Sequence, residues 1–409
     1  MGPGKYERTV LVPQSPVPEG VSMSSPAIIG WSHGKFGRSE SPLPQMMADV
    51  AREAIAEAGL EPADIDVIHV GVFNNGLSRQ GFEAALLGTV FPELARTPAH
   101  RHENACATGS AAIFAAHDSI AAGRHKTALV IGAERMTQAS GHDVNEVLLS
   151  ASFREEEEHY KSFAGVFGEI ARQYFDRYGD HSEALAKIAA KNHANGSQNP
   201  LAHMQKDLGF DFCNTVSEKN PYVAEPLRRT DCSMVSDGAA ALVLAAEDVA
   251  ASAPQAVTWR GMGNANDVLP LSQRDPLEMA GARAAMEQAL TAAGIGIDDL
   301  DFLETHDCFT IAELLEYEAF GLAAPGQGHT LLDDGATEVG GRLPVNPSGG
   351  LKAKGHPIGA TGVSMHALAA AQLTGRSPGI QIETPELAGV FNMGGAAVSN
   401  FASVLERVR

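Results

Sequence analysis

A single cysteine, Cys106, stands among small residues in the run from Asn104 to Ser110, where an apparent strand gives way to an alanine-rich helix. Backbone N–H groups and the positive end of the helix dipole would lie close to its sulfur, and both stabilise a thiolate. Small neighbours would also let a substrate approach the backbone closely. Most free cysteines in proteins are simply small buried hydrophobes. The run therefore makes Cys106 a candidate nucleophile, and the alternative is that it is only a small buried side chain.

A second candidate, His356, lies between Gly355 and Pro357 just before another helical run. The backbone of such a histidine has little freedom, which suits a side chain that must hydrogen-bond a thiol or a developing oxyanion. A lone histidine is more often structural, so the case depends on the whole segment over residues 349–362. Lys352 and Lys354 lie in the same segment, and the sequence leaves open whether they face solvent or the site.

A third segment, Glu304–Phe309, contains His306 and Cys308 at the end of a predicted strand, where α/β folds commonly place site residues. Residues two apart in an extended segment point to the same side, so this histidine and this thiol could act together. The structural alternative is an ordinary strand end with a buried thiol. A fourth segment, the tight glycine turn Asn392–Gly395, could present backbone N–H donors.

The remaining cysteines, Cys213 and Cys232, form no CxxC pair with the others, and no cysteine has metal-ligand spacing from a histidine. The sequence therefore predicts free thiols and no metal site, as in an intracellular protein. The formal net charge of −20 argues against binding to nucleic acid or to an anionic membrane. The sequence has no apolar run of the length needed to cross a membrane, and its start does not have the pattern of a signal peptide.

The chain of 409 residues is too long for one compact core, so two units or one duplicated unit are expected. An internal similarity favours duplication, because residues 54–70 and 289–305 both run from a helix through a glycine, Gly59 or Gly294, and an acidic turn into an apolar strand. Strands that alternate with amphipathic helices indicate a layered α/β fold with buried sheets. The predicted strands are residues 26–31, 67–73, 128–132, 239–245, 302–305, 388–391 and 396–404.

These patterns predict an N-terminal domain over residues 23–250 and a C-terminal domain over residues 251–409. Between about residues 137 and 229 the charge rises and helices alternate with polar loops. We expect this stretch, 137–229, to be an insertion that covers a face of the first domain. Residues 1–22 are Pro-rich and weakly patterned, and we interpret them as a disordered extension, an expression artefact or a mis-start.

Four segments together resemble segments of the thiolases: NACATG around Cys106, HDCF from His306, GHPIGATG around His356, and the turn Asn392–Gly395. The HDCF tetrad resembles in particular the sterol-carrier-protein type of thiolase, and the resemblance extends over almost all of the chain from about Pro26. GHPIGATG and HDCF are specific in combination. The resemblance implies an α/β fold in which duplicated βαβαβαββ units form a five-layered α-β-α-β-α core with an inserted loop domain.

The same resemblance implies a role for each candidate residue. Cys106 is expected to be the nucleophile that accepts the acyl group as a thioester, and His356 is expected to activate its thiol. His306 takes the place of an asparagine that helps to build an oxyanion hole with a water in the commoner thiolases. Cys308 is expected to move the proton at the α-carbon. The backbone N–H groups of Cys106 and Gly394 are expected to form a second oxyanion hole for the acyl-enzyme step.

One departure from the family pattern concerns the acid/base group. The commoner thiolases carry a cysteine in the C-terminal glycine turn, where this sequence has Asn392. Cys308 of the HDCF tetrad can supply the missing function, as in the sterol-carrier type. The assignment of Cys308 therefore depends on the resemblance to that type.

The implied activity is CoA-dependent cleavage of a 3-ketoacyl-CoA, or the reverse Claisen condensation of acyl-CoAs, through an acyl-cysteine intermediate. CoA and acyl-CoA would be substrates, with no further cofactor and no metal. The resemblance also implies a homodimer or a homotetramer. The C-terminal sequence Glu406–Arg409 does not match a peroxisomal signal, so the cytoplasm is the expected location.

Three alternatives stay open. A carbon–carbon lyase or condensing enzyme of the same fold could act on a steroid side chain or an aromatic polyketide together with a zinc-ribbon/OB-fold partner. A degenerate thiolase fold could bind acyl-CoA without catalysis, although both candidate cysteines and both candidate histidines are present. A cysteine hydrolase is the third alternative, although the glycine-rich second half has no obvious role in one.

Overall fold

The computed structural model describes residues 26–408, so the extension expected over residues 1–22 lies outside the described residues. The strands of the described range are β1 Ala27–His33, β2 Val67–Gly71, β3 Ala99–His102, β4 Thr127–Glu134, β5 Tyr222–Ala224, β6 Leu227–Arg228, β7 Gly238–Ala245, β8 Val257–Asn266, β9 Phe302–Glu304, β10 Leu387–Gly394 and β11 Ser399–Arg407. Its α-helices are α1 Leu43–Glu57, α2 Glu83–Leu86, α3 Thr108–Ala121, α4 Gly141–Leu149, α5 Arg154–Glu157, α6 Phe163–Tyr178, α7 Ser182–Ser197, α8 Phe210–Asn214, α9 Glu247–Ala250, α10 Ala280–Ala293, α11 Thr310–Ala319, α12 His329–Asp333 and α13 Thr361–Leu373.

Nine of these strands form one mixed sheet in the order β3-β2-β4-β7-β1-β8-β11-β10-β9, and β5 pairs with β6 separately. The sheet has two halves, which are joined where β1 pairs with β8 over only two residues of each strand. The second half repeats the strand order of the first: outward from the join, β8, β11, β10 and β9 correspond to β1, β7, β4 and β2. A single parallel bridge from Leu303 of β9 to Val345 occupies the place that β3 has beside β2. This repeat is the duplication that the sequence predicted.

The duplication extends to individual hydrogen bonds. Asp66, just before β2, accepts a hydrogen bond from the N–H of Thr127 at the start of β4, at 3.1 Å. Its counterpart Asp301, just before β9, accepts one from the N–H of Leu387 at the start of β10, at 2.9 Å. Each aspartate therefore ties the start of one parallel strand to the start of its neighbour, once in each half.

Helices divide the two halves of the sheet into layers. α1 packs on β1, β4 and β7, and α10 packs on β8 and β11. The buried residues of α1 recur at helical spacing on one face, as expected for a helix that covers a sheet: Met47, Val50, Ala51, Ala54 and Ile55. In contrast, α13 is buried on all sides, and it packs on α3 and on strands of both halves. The layers are α1, the first half-sheet, α3 with α13, the second half-sheet, and α10, which confirms the predicted five-layered α/β core.

The outer helices approach their sheets closely because glycines face them. A Cβ atom on Gly30 of β1 would overlap the carbonyl oxygen of Ala54 in α1. In the second half, a Cβ atom on Gly261 of β8 would overlap the carbonyl oxygen of Ala289 in α10. Only glycine permits this approach of a helix backbone to a strand.

The chain between β4 and β7 contains α4 to α8 and the β5–β6 hairpin. The prediction that this stretch covers a face of the first domain was incomplete, because α6 and α7 also pack on α11 of the second half. The Tyr174 hydroxyl of α6 donates a hydrogen bond to Glu318 at 2.5 Å, and the Phe167 ring stacks on Phe309 with centroids 4.5 Å apart. The insertion therefore packs directly against the HDCF segment. None of the helices within residues 26–408 combines the length and the apolar composition of a membrane-spanning segment.

Candidate active site

Cys106 lies in a tight turn between β3 and α3. Ala105 before it has a φ angle of +48°, a left-handed conformation that is uncommon for residues other than glycine. Thr108 holds this turn, because its hydroxyl accepts a hydrogen bond from the N–H of Asn104 at 2.8 Å and donates one to the carbonyl of Ala105 at 2.6 Å. Cys106 is thereby presented at the start of α3, where it is buried.

The environment of the Cys106 thiol differs from the prediction. Burial raises its pKa to about 12, and the negative charge of Glu134 acts in the same direction. A hydrogen bond from the backbone N–H of Gly395 lowers the pKa, but by less than burial raises it. The expectation that the helix start would favour the thiolate was therefore wrong for the resting site. The thiol needs a base to remove its proton.

His356 is the candidate for that base, because one of its ring nitrogens lies within 4.8 Å of the Cys106 sulfur. It follows Gly355, whose φ angle is +111°. The Thr361 hydroxyl donates to the carbonyl of Pro357 at 2.9 Å and lies 2.7 Å from Nδ1 of His356. Because the single hydroxyl proton is used in that bond, Nδ1 carries the ring proton and donates to Thr361. Nε2 of His356 therefore has a free lone pair, and it has no hydrogen-bond partner in the described chain.

Two buried lysines lie immediately before His356, in a π-helical turn over Gly350–Lys354. Lys352 donates a hydrogen bond to the carbonyl of Cys232 at 2.6 Å, whereas Nζ of Lys354 has no hydrogen-bond partner among the described residues. The sequence left open whether Lys352 and Lys354 face solvent or the site, and the structure shows that both are buried. Burial first, and then the charge of Lys354, lower the pKa of His356 to about 3, so its imidazole is neutral at physiological pH.

Replacing Lys354 by methionine should move the acid limb of Cys106 reactivity to higher pH. Only neutral His356 can accept the thiol proton, so the reaction slows as the pH falls through the His356 pKa. Loss of the nearby positive charge raises that pKa, while the remaining burial keeps it between about 3 and its ordinary value of 6.5. The rate of alkylation of Cys106 by iodoacetamide against pH measures the shift. Lys352→Met is the matched control, and identical acid limbs in the wild type and Lys354→Met would contradict the argument.

The HDCF segment is fixed to the same π-helical turn. The Asp307 carboxylate accepts hydrogen bonds from the N–H of Leu351 at 2.6 Å, from the N–H of Lys352 at 3.2 Å and from the side-chain amide of Asn192 at 2.8 Å. Because Asp307 lies between His306 and Cys308, this clamp places both side chains relative to the segment that carries the other histidine. One buried carboxylate therefore connects the end of β9, the insertion and the π-helical turn that leads into the GHPIGATG segment.

The four predicted side chains converge on one place. The sulfur of Cys106 and a ring nitrogen each of His306 and His356 lie within 4.8 Å of one another. The two imidazole rings are nearly perpendicular, with centroids 5.2 Å apart. Burial, and next the proximity of Cys106, raise the pKa of Cys308 well above its ordinary value. Gly394 ends β10, and the N–H that hydrogen-bonds the sulfur belongs to the next residue, Gly395.

Cys106, Cys308 and His356 line a common cavity of about 230 Å³. Its other walls are mostly apolar, and they come from the insertion, from the residues before β7 and from the HDCF segment: Met136, Leu148, Phe163, Ala164, Val223, Cys232, Met234, Val235 and Phe309. Val223 and Val235 are 52% and 40% exposed, so they mark the mouth. The cavity can therefore admit an apolar group to two thiols and an imidazole that is free to accept a proton.

Comparison with known proteins decides the family. Residues 27–248 match the thiolase N-terminal domain, and residues 263–407 match a family described as thiolase C-terminal domain-like. The chain belongs to the thiolase family. The resemblance seen in the sequence is confirmed, and the two matched ranges lie inside the predicted domains 23–250 and 251–409, whose boundary stays a prediction.

Individual members of the thiolase family show how far the similarity extends. The chain is 33% identical to an acetyl-CoA acetyltransferase of Methanothermobacter thermautotrophicus over 94% of its own length and 100% of that protein. It is 32% identical to human sterol carrier protein 2 over 87% of its length and 66% of that protein. A solved structure titled Ltp2-ChsH2(DUF35) aldolase has the same fold, with a TM-score of 0.79 at 20% identity over 95% of this chain and 99% of that one.

Sequence reasoning missed several residues that support this thiolase site. The orientation of His356 depends on Thr361, and the clamp between two loops depends on Asp307. Both stand inside segments that the sequence singled out, but neither has a spacing that would reveal its partner. Asn392 was noted as part of the glycine turn and as the residue in place of a cysteine, but no role was predicted for its side chain, which lies 2.9 Å from Nδ1 of His306.

Proposed function

We propose that this protein is a thiolase acyltransferase that cleaves 3-ketoacyl-CoA with CoA, or runs the reverse Claisen condensation, through an acyl group on Cys106. The observation that carries the proposal is the convergence of Cys106, His306 and His356 within 4.8 Å, beside a cavity that Cys106, His356 and Cys308 line. This set offers a nucleophile, a base, a hydrogen-bonding imidazole and a second thiol. Similarity to an acetyl-CoA acetyltransferase over the whole of that relative supports the same activity.

The first half-reaction transfers the acyl group to the enzyme. Nε2 of His356 takes the proton of Cys106, and the thiolate attacks the 3-keto carbon of the substrate. The bond between C2 and C3 then breaks, and its electron pair moves into the thioester as an enolate. His306 is proposed to donate a hydrogen bond to the enolate oxygen, and Cys308 gives its proton to C2, so that acetyl-CoA is released.

The second half-reaction returns the acyl group to CoA. The CoA thiol passes its proton to the Cys308 thiolate left by the first half-reaction, and the CoA thiolate attacks the acyl carbon on Cys106. The Cys106 thiolate leaves and takes its proton back from His356. Negative charge collects on the acyl oxygen, which the backbone N–H groups of Cys106 and of the glycine turn at Gly394 and Gly395 are proposed to stabilise. Gly395 already donates a hydrogen bond to the sulfur of Cys106. No step requires a metal ion or a cofactor other than the two CoA substrates.

The cavity supports an apolar acyl group on a CoA carrier. Its walls are mostly methionine, leucine, phenylalanine and valine side chains, with a few neutral polar ones, Asn145, Ser162 and Ser233, and no aspartate, glutamate, lysine or arginine. The exposed Val223 and Val235 at the mouth suit a pantetheine arm, which is itself weakly polar. Acyl-CoA and CoA are therefore the proposed small-molecule partners.

Intact-mass spectrometry after brief exposure to acetoacetyl-CoA tests the proposal, with peptide mapping of the adduct. An acetyl group is expected on Cys106, and free CoA should remove it. Longer and steroid-type 3-ketoacyl thioesters extend the assay to other chain lengths. If none of these thioesters acylates Cys106 in the folded protein, the proposed activity is overturned.

A carbon–carbon lyase that works with a zinc-ribbon/OB-fold partner is the second candidate function. Its support is one likeness in fold, to the Ltp2-ChsH2(DUF35) aldolase, whose name joins two components, whereas the similar acetyl-CoA acetyltransferases favour the thiolase. The adduct experiment separates the two candidates. A chain that is acylated and turns over alone is a thiolase, whereas a chain that is inactive until a zinc-ribbon/OB-fold protein is added is a partner-dependent lyase.

We also propose a homodimer or homotetramer in the cytoplasm. β3 ends the sheet on one side, and an edge strand has backbone groups that can pair with a second copy. A symmetric pairing of this edge would close it. Sedimentation equilibrium of the pure protein distinguishes these states, and a monomer at micromolar concentration would contradict the proposal.

A further inference from the structure

Asn392 is a buried amide whose position at the end of β10 brings it between the two halves of the site. The Ser110 hydroxyl of α3 donates a hydrogen bond to Oδ1 of Asn392 at 2.8 Å. On its other side, Nδ2 of Asn392 donates to the carbonyl of Cys106 at 3.1 Å and lies 2.9 Å from Nδ1 of His306. Gly362 makes room for this arrangement, because a Cβ atom there would overlap both Oδ1 of Asn392 and Oγ of Ser110.

The two flanking partners fix which way the amide points. A backbone carbonyl can only accept, so the side of Asn392 that faces the carbonyl of Cys106 must be the NH2 group. The opposite orientation would set oxygen against oxygen at Cys106. The two protons of Nδ2 then go to two acceptors, the carbonyl of Cys106 and Nδ1 of His306.

The state of His306 follows from this orientation. A neutral imidazole carries one proton, and a nitrogen that accepts a hydrogen bond is not the one that carries it. Because Nδ1 accepts from Asn392, the proton of His306 is on Nε2. This nitrogen is buried and has no hydrogen-bond partner within residues 26–408. His306 therefore carries a buried N–H group without a partner, whereas His356 carries a buried lone pair without one.

We propose that Asn392, held by Ser110, is a positioning residue that fixes His306 in the Nε2–H form. His306 can then donate a hydrogen bond to the enolate oxygen, and the cluster of Cys106, His306 and His356 does not hold a metal ion. The inference deepens the proposed thiolase function and rests on it for the enolate. One thiol and two imidazoles within 4.8 Å are otherwise a fitting set of ligands for zinc. A metal would need the lone pair of Nε2 on His306, and the amide of Asn392 keeps a proton there.

The wild-type protein tests the inference directly, without any turnover. Nitrogen-15 NMR of protein labelled at histidine distinguishes the two neutral forms, and the resonances of His306 are those that disappear in His306→Gln. The expected result is a protonated Nε2 and an unprotonated Nδ1. A proton on Nδ1 of His306 in the wild type would overturn the proposal.

Replacing Asn392 by aspartate should convert His306 to the other neutral tautomer, with its proton on Nδ1. A carboxylate still accepts from Ser110, but it can only accept from His306, so the ring proton moves to Nδ1 and Nε2 carries a lone pair. A carboxylate oxygen also meets the carbonyl of Cys106, so the variant should unfold at a lower temperature than the wild type, and the form of His306 is measured on the folded protein. The carboxylate–histidine–metal arrangement then favours zinc, and the affinity for Zn²⁺ alone should rise about 10- to 100-fold. Without metal, thiolysis should fall about 10²- to 10³-fold, as for the loss of one oxyanion donor, while alkylation of Cys106 by iodoacetamide continues.

Asn400→Asp is the matched control, because Asn400 is another buried amide that donates to backbone carbonyls, those of Ala265 and Ala397, but on β11. It should change neither the form of His306 nor the affinity for zinc. An Asn392→Asp protein with an unchanged form of His306 and unchanged zinc affinity would refute the proposal. If the wild type shows Nε2–H on His306 but no thioester acylates Cys106, the thiolase proposal fails and the positioning role of Asn392 stands.

Discussion

Replacing Cys106 by alanine should abolish thiolysis of 3-ketoacyl-CoA, with a loss on the order of 10⁵- to 10⁶-fold in kcat, as for other covalent nucleophiles. Alanine lacks the sulfur that forms the acyl bond, and none of the other three cysteines lies at the start of α3. The cysteine is buried and its replacement removes only one atom, so the fold should persist. Release of CoA-bound product and the mass of the protein after exposure to substrate give the result.

Cys213→Ala is the control for loss of a buried thiol. Cys213 is fully buried in a small cluster with Ala186 and Ala189 and takes no part in the site. Its replacement should leave turnover within a few-fold of the wild type. If Cys106→Ala instead retained turnover and formed an adduct elsewhere, the nucleophile would have to be reassigned to the residue that carries the adduct.

The sequence was sufficient for most of the layered core. Its alternation of apolar strands and alanine-rich helices predicted β1, β2, β4, β7, β9, β10 and β11 within a few residues, and the repeated glycines and aspartates indicated duplication. Of the strands of the mixed sheet it missed β3, Ala99–His102, which is short and largely polar, and β8, Val257–Asn266, where Gly261 and Gly263 interrupt the apolar pattern. The structure explains both glycines, since a Cβ atom on either would overlap the backbone of α10. A glycine that permits close packing looks, in sequence, like one that breaks a strand.

The candidate site was predictable as a set of residues but not as an electrostatic environment. Motifs named the cysteines and histidines, and the structure brings them together. The pKa of Cys106 could not be predicted from the start of a helix, because burial outweighs the hydrogen bond from Gly395. Likewise, the burial of Lys354 depends on how the π-helical turn packs, and the contact between Asn392 and His306 joins residues 86 positions apart. Such contacts are properties of the fold rather than of local spacing.

Replacing Cys308 by alanine should separate the two chemical tasks of the site. Acylation of Cys106 by acetyl-CoA expels a CoA thiolate and needs no proton at carbon, so it should persist in Cys308→Ala. Cleavage of acetoacetyl-CoA expels an enolate that must be protonated at C2, and it should slow about 10²- to 10⁴-fold, as for loss of a positioned acid or base. Exchange of the methyl protons of acetyl-CoA with D2O should slow in parallel. Mass spectrometry measures the first reaction, and NMR of the thioester measures the exchange.

Cys232 provides the matched control, because it lines the same cavity as Cys308 but its thiol donates to the carbonyl of Arg228, at 3.5 Å. Its replacement by alanine should alter acylation, cleavage and exchange together, since it changes the wall of the cavity and not the proton transfer. A Cys308→Ala variant that lost acylation and exchange to the same extent would not support a role at the α-carbon. The acid/base function would then belong to another group, and the neutral imidazole of His356, with its free Nε2, would be the group to test next.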